Sequence, residues 1–279
     1  MMQRNQLYTL ILALCMSIGQ VFAQQGKLFI IGGGERSEAL IEDLVKTADL
    51  KEQDYIVILP MATSVPEESV AYISEQLSRH TKHKAVSFNF SKEEANNRSQ
   101  WIDSVKNARL IYITGGDQNK FMAIVRQTKL FDAIQSAYHN GATVSGTSAG
   151  AAVMSAVMIT GGQKPDGKAD SFKEVKADYV EVASGLGLLQ NVIIDQHFIM
   201  RSRYNRLMSV LSDYPQRAVI GIDEGTALVV QGKNARISGV SQVVHIAQPK
   251  NTKVTASGKV SFEKANLSLY THGQRFKLK

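Results

Sequence analysis

Five short, β-branched and apolar runs, at residues 27–31, 55–59, 85–88, 110–113 and 143–145, alternate with longer stretches whose apolar positions recur at helical spacing. Runs this apolar along their whole length are strands covered on both faces, as in parallel sheets. The alternation predicts a doubly wound α/β fold, a mostly parallel sheet flanked by helices. Helices are expected over residues 35–46 and 66–77, the second opening on Pro66, Glu67 and Glu68, and Ser91 with Glu94 has the spacing of a capping box. Ligands of such sheets bind beyond the carboxyl ends of the strands, so the segments that follow the strands are where function is to be sought.

The pattern changes after the fifth run. A stretch rich in Gly, Lys and Asp at residues 161–176 reads as a surface loop or lid. A strand at 192–194 and a helix at 202–212 come next, then closely spaced apolar runs at 218–222, 227–230, 235–237 and 242–246. Their short turns predict an antiparallel portion that finishes the domain. The polar tail from Pro249 onward is expected to be peripheral, with 267–270 as a last strand.

At the start of the chain, Arg4, an apolar run over residues 7–16 and Val21-Phe22-Ala23 have the layout of a cleaved secretory signal, too short to span a bilayer. Residues 1–23 are thus read as a signal peptide and 24–279 as one domain, exported to the periplasm or the cell exterior and free of the membrane after cleavage. A lipoprotein reading of Cys15 is disfavoured by Leu14, which stands where a small residue is wanted. Cys15 is the only cysteine, so the mature chain has no disulfide, no cysteine nucleophile and no cysteine-ligated metal. The net charge of +7 becomes +6 once Arg4 is removed, and the basic residues are dispersed among acidic ones. No basic stripe with interleaved aromatics is present, which argues against nucleic acid as a partner.

Gly146-Thr147-Ser148-Ala149-Gly150 follows the fifth run and precedes an Ala-rich helical stretch, the context of a nucleophile elbow. Its glycines let the chain turn sharply from strand to helix and expose the Ser148 hydroxyl at the carboxyl edge of the sheet. The N–H of Ala149 then lies at a helix start, where orphan donors and the helix dipole stabilise a developing oxyanion.

A serine hydroxyl needs a base within hydrogen-bond reach, and the base needs an acid to hold its tautomer. Of the six histidines, His80, His83, His139 and His272 lie in polar helix ends or the tail, and His245 alternates within a late strand. His197 alone follows directly on an apolar strand, in Asp195-Gln196-His197-Phe198. The orienting acid is Asp223 or Glu224, in Gly221-Ile222-Asp223-Glu224-Gly225-Thr226 at the end of another strand; strand alternation lets only one of them reach the histidine. Thr114-Gly115-Gly116-Asp117-Gln118 ends the fourth run, so the Gly116 or Asp117 N–H is a second oxyanion donor and Gln118 a contact to substrate. Arg201, Arg203 and Arg206 open the next helix, against its dipole, which points to a ligand-facing role such as holding a carboxylate. Gly32-Gly33-Gly34 ends the first run, but a dinucleotide fingerprint would need a further glycine at Ser37. Asp195 and His197 have no third ligand at metal-site spacing, so neither metal nor organic cofactor is expected.

Together, Thr-Gly-Gly-Asp-Gln at 114–118, Gly-Thr-Ser-Ala-Gly at 146–150, Asp-Gln-His-Phe and Arg-x-Arg-x-x-Arg within 195–206, and Asp-Glu-Gly-Thr-Ala at 223–227 resemble the serine peptidases of the class I glutamine-amidotransferase-like, or flavodoxin-like, fold that include cyanophycinase and dipeptidase E. The cyanophycinases are the closer match, over most of residues 27–230. The resemblance implies Ser148 as nucleophile, His197 as general base and acid, and Glu224 rather than Asp223 as the orienting acid. It also implies that Gln118, Asp195, Gln196, Arg201, Arg203 and Arg206 line a pocket for a β-aspartyl-arginine unit. Cyanophycin, a poly-aspartate carrying arginine on each side-chain carboxyl, is the implied polymer, hydrolysed to β-aspartyl-arginine dipeptides. Two other readings remain, an aspartyl or isoaspartyl dipeptidase with the same three residues and a non-catalytic binding protein of the same fold. A homodimer is among the assemblies the sequence allows.

Overall fold

The computed structural model describes residues 25–163 and 173–278. The expected signal peptide and the stretch 164–172 of the expected loop lie outside the described residues. The strands are β1 Lys27–Ile31, β2 Ile56–Leu59, β3 Ala85–Ser87, β4 Leu110–Ile113, β5 Thr143–Thr147, β6 Val157–Gln163, β7 Val180–Ser184, β8 Val192–Gln196, β9 Ala218–Ile222, β10 Thr226–Gln231, β11 Asn234–Gly239, β12 Val243–Lys250, β13 Lys253–Val254, β14 Val260–Ser261, β15 Lys264–Tyr270 and β16 Arg275–Lys277. The helices are α1 Glu38–Ala48, α2 Pro66–Ser78, α3 Glu94–Asn97, α4 Ser99–Lys106, α5 Gln118–Val125, α6 Lys129–His139, α7 Ala149–Ala152 and α8 Tyr204–Asp213.

An eight-stranded sheet in the order β16-β11-β10-β1-β5-β4-β2-β3 forms the body. Strands β1, β5, β4, β2 and β3 are mutually parallel, as the five apolar runs predict. Alternation within each strand serves two layers. Leu28, Ile30, Ile111 and Ile113 join the core beneath α4, α5 and α6, whereas Phe29, Ile31, Leu110 and Tyr112 join Leu40, Leu44, Ile73 and Leu77 of α1 and α2 on the other face. Helix α1 begins three residues later than expected because the Ser37 hydroxyl accepts the Leu40 N–H and caps it. Ser91 and Glu94 make the reciprocal bonds of a capping box, at 2.9 and 3.2 Å.

The later strands pair antiparallel, as their short turns predict, but they divide between two sheets. β10 pairs antiparallel with β1, and β11 follows it onto the edge of the main sheet. β8 and β9 instead pair parallel with each other and, with β12 and β15, form a second sheet in the order β15-β12-β9-β8. Helix α8 covers this sheet, packing Leu207, Val210 and Leu211 on Ile193, Val219 and Val244. Part of the segment expected to be a lid belongs instead to the hairpin β6–β7.

The tail is not wholly peripheral. β15 extends the expected strand and pairs with β12, and β16 then returns to pair with β11 in the main sheet. The Tyr270 and Phe276 rings, one from each of these strands, stack nearly parallel with centroids 4.3 Å apart. The tail thereby ties the two sheets together. Phe276→Ala should lower unfolding stability by about 2 kcal/mol, less than a fully buried aromatic because the ring is only half-buried; urea denaturation with a lowered midpoint and unchanged slope would show it.

Candidate active site

The two sheets meet at the carboxyl end of β1, where Gly32-Gly33-Gly34 turns. Its backbone is bonded to both neighbouring turns. The His197 N–H donates to Gly32 O at 2.7 Å, the Gly225 N–H to Gly33 O at 2.9 Å, and the Gly32 N–H to Thr226 O at 2.9 Å. A Cβ on Gly33 would lie 2.2 Å from Cε1 and 2.4 Å from Nε2 of the His197 ring, and one on Gly34 would lie 2.6 Å from Glu224 Cβ. Only glycine permits this approach, and both residues have positive φ as well.

Ser148 follows β5, the parallel neighbour of β1, with φ 52° and ψ −108°. A non-glycine residue there is strained by about 1–3 kcal/mol, and the surrounding structure must hold it. Its N–H donates to Ile31 O at 3.0 Å, and the flanking glycines permit the sharp turn: a Cβ on Gly146 would strike Gly150 O at 2.4 Å, and one on Gly150 would strike Ile113 O at 2.4 Å. The hydroxyl is presented to His197, with Oγ 2.8 Å from Nε2, while Nδ1 lies 2.5 Å from Glu224 Oε1. A carboxylate can only accept, so Nδ1 carries the proton and Nε2 accepts from the serine hydroxyl. Strand alternation separates the two acids as expected. Asp223 points away, accepting the Ile199 and Met200 N–H groups at 3.0 and 2.9 Å and the Ser241 hydroxyl at 2.6 Å, and so braces the loop after His197.

Burial holds the His197 imidazolium below its ordinary pKa, and the Arg201 and Arg203 cations push the same way. The Glu224 hydrogen bond and charge work in the opposite sense without overcoming them. His197 is therefore a neutral, proton-accepting ring at neutral pH.

Ala149 begins α7, where no earlier turn supplies a carbonyl to its N–H. The Gly116 N–H donates to no backbone carbonyl among the described residues, with φ +132° at that position. Asp117 does not fit the oxyanion role, because its N–H is taken by Ala62 O at 2.8 Å and its carboxylate caps α5. Gly115 lies beside Ser148, with a Cβ position 3.4 Å from Ser148 Cβ.

Most of the expected substrate-lining residues bond to one another or to the backbone. Asp195 is fully buried and holds Arg206 through two contacts, Nε to Oδ2 at 2.7 Å and Nη2 to Oδ1. Arg203 donates to Gln196 O at 2.7 Å and to Gln196 Oε1 at 3.2 Å. A buried carboxylate must be compensated, so these four side chains are committed to one another and fix the corner between β8 and α8 that carries His197. Gln118 is likewise turned inward, its amide donating to Ile159 O and Thr160 O of β6 at 3.0 and 2.7 Å. Arg201 is the exception: it is exposed, and its charge is felt at His197.

A cavity of about 290 Å³ opens on Ser148 and His197 and is lined also by Arg36, Tyr72, Tyr112 and Thr114. Two larger surface clefts, about 550 and 810 Å³, touch neither Ser148 nor His197. Among the described residues, no three His, Cys, Asp or Glu side chains gather as metal ligands.

Residues 28–238 match Peptidase family S51. A cyanophycinase from Geminocystis herdmanii is 34% identical over 236 residues, covering 80% of this chain and 82% of the relative. A peptidase E from Actinobacillus pleuropneumoniae is 29% identical over 153 residues, 52% of this chain and 60% of the relative. A crystal structure of a peptidase from an acI-B1 actinobacterium shares the fold, with a TM-score of 0.66 at 22% identity over 92% of this chain and 98% of that one. The chain belongs to peptidase family S51 and is a serine-type peptidase.

The charge balance at His197 sets the pH profile. The acid limb of kcat/KM should fall below the ordinary imidazole value of about 6.5. Arg201→Gln removes a cation that disfavours the imidazolium and should move the limb upward. Glu224→Gln should move it downward and lower kcat by about 10³- to 10⁴-fold, the scale of a lost orienting acid. Limbs that stay in place in both variants would contradict this account. Gly33→Ala should cost about 100-fold or more in kcat/KM by displacing the ring.

Proposed function

We propose that this S51 peptidase is exported and hydrolyses cyanophycin, releasing β-aspartyl-arginine dipeptides through an acyl-enzyme on Ser148. The observation that carries the reading is the pair of hydrogen bonds linking Ser148 Oγ, His197 and Glu224 at 2.8 and 2.5 Å. His197 Nε2 takes the serine proton as Oγ attacks the scissile carbonyl, and Glu224 stabilises the imidazolium. The N–H groups of Ala149 and Gly116 receive the tetrahedral oxyanion. His197 then gives its proton to the leaving amine, and deprotonates the water that releases the acyl group. The polymer substrate is supported by the 34% identity to a cyanophycinase over most of both chains. Export is supported by the charged, apolar and small-residue order of residues 1–23.

A second reading, an aspartyl or isoaspartyl dipeptidase using the same residues, draws support from the peptidase E relative and from a cavity of about 290 Å³, the size of a small ligand. Incubation with cyanophycin and with α- and β-aspartyl dipeptides, followed by mass identification of products, separates the two. The expected outcome is a β-aspartyl-arginine product from the polymer. Cleavage of dipeptides alone would favour the second reading. Ser148→Ala should fold normally and lose activity on the order of a million-fold, as when a triad acts as a unit; retained turnover would remove Ser148 from the mechanism. The mature protein should begin at Gln24 when recovered from the periplasm or medium.

A further inference from the structure

The cavity that opens on Ser148 contains a cation that the reaction does not use. Arg36 lines it and is held in place from three sides. Its Nε donates to Gln76 Oε1 at 2.8 Å, the Gln76 amide returns a bond to Arg36 O at 3.2 Å, and the guanidinium lies over the Tyr72 ring, 4.8 Å from its centroid. Gln76 is itself buried and Arg36 is half-buried, so the contacts hold the guanidinium against the protein. The two Nη groups have no partner among the described residues.

Two hydroxyls in the same cavity are also unanswered. Tyr112 and Thr114 are 1% and 3% exposed, line the cavity, and their hydroxyl oxygens have no hydrogen-bond partner among the described residues. Thr147 comes near the Tyr112 hydroxyl without the geometry of a bond. Buried hydroxyls without partners are costly, by about 1–3 kcal/mol each, so each calls for a partner. Burial also keeps the Tyr112 phenol protonated, so it is a donor.

A fixed guanidinium with a free edge, together with protonated hydroxyls, is a set of donors, and a carboxylate is the acceptor it fits. We infer that Arg36, with Tyr112 and Thr114, forms a subsite that binds a carboxylate of the substrate residue beside the scissile bond. The inference rests on the peptidase reading above and narrows its substrate: the site reads a free carboxylate, not the guanidinium of an arginine branch. The arginine of each β-aspartyl-arginine unit ends in such a carboxylate, and an aspartyl dipeptide carries one on its aspartate. The subsite therefore accepts either.

The test compares a synthetic peptide bearing β-aspartyl-arginine branches with the same peptide in which every arginine is the carboxamide. The protein should prefer the carboxylate form by about 100-fold in kcat/KM, the scale of paired charge-assisted hydrogen bonds. In Arg36→Gln the ratio should collapse to within about threefold of one, and Tyr112→Phe, which keeps the ring and removes only the hydroxyl, should lower it about tenfold. Calorimetric binding of both peptides to the Ser148→Ala protein reads the same preference without turnover. Equal binding of the two forms, or a ratio that survives both substitutions, overturns the subsite. A preference in binding without hydrolysis of either peptide leaves the subsite standing and overturns the cyanophycin-hydrolysing reading instead.

Discussion

The absence of side chains at Gly32, Gly33 and Gly34 is the constraint on which the site depends. Two sheets with different neighbours must bring three strand ends within hydrogen-bond distance, and side chains on this turn would hold them apart. Without Cβ atoms, the turn bonds directly to the backbone at His197 and Gly225, so the imidazole and the Glu224 side chain pack onto the end of β1. Ser148 reaches the same point because β5 runs beside β1 and its own N–H is tied to Ile31 O. Positions of Ser148, His197 and Glu224 are thereby set by main chain, which has few degrees of freedom, and not by long side chains.

Strain is concentrated at the same place. Ser148 and His197 both have positive φ, at 52° and 48°, in a region non-glycine residues seldom occupy. Such geometry persists only where its surroundings over-determine it. For His197 the surroundings are the Asp223 carboxylate on one side, which holds the following loop, and the buried Asp195–Arg206 pair on the other, which holds the preceding strand. The polar residues around the site thus divide into braces facing the protein and donors facing the cavity. Arg203 and Arg206 belong to the first group, whereas Arg36 belongs to the second.

Much of this was legible in the chain. The five apolar runs specify parallel strands because two-sided burial demands unbroken hydrophobicity, and Ser37 or the Ser91–Glu94 pair mark helix starts through local hydrogen bonds. The Gly-Thr-Ser-Ala-Gly turn carries its own geometry, since close approach of Gly146 to Gly150 is a contact between near neighbours. His197 and the pair Asp223 and Glu224 could be singled out because they lie just beyond strands, and the family resemblance then points to Glu224. The arginines were harder. Their order along a helix start suggests a ligand, but whether a guanidinium faces a cavity or a buried aspartate depends on a partner eight to eleven residues away and on the burial of both.

The sequence by itself determined that the first five strands are parallel and covered on both faces, the identity of the elbow and the short list of residues that could serve it, because those properties follow from periodicity and local backbone geometry. Tertiary structure alone decided that β10 and β11 extend the main sheet while β8 and β9 start another, and that the tail joins both. It alone turned Gly32-Gly33-Gly34 from an unassigned turn into the seat of His197, and placed Arg36 in the lining of the cavity that opens on Ser148. Each of these is a contact between segments far apart in the chain, and such pairings are set by the packing of whole layers, about which local sequence carries no record.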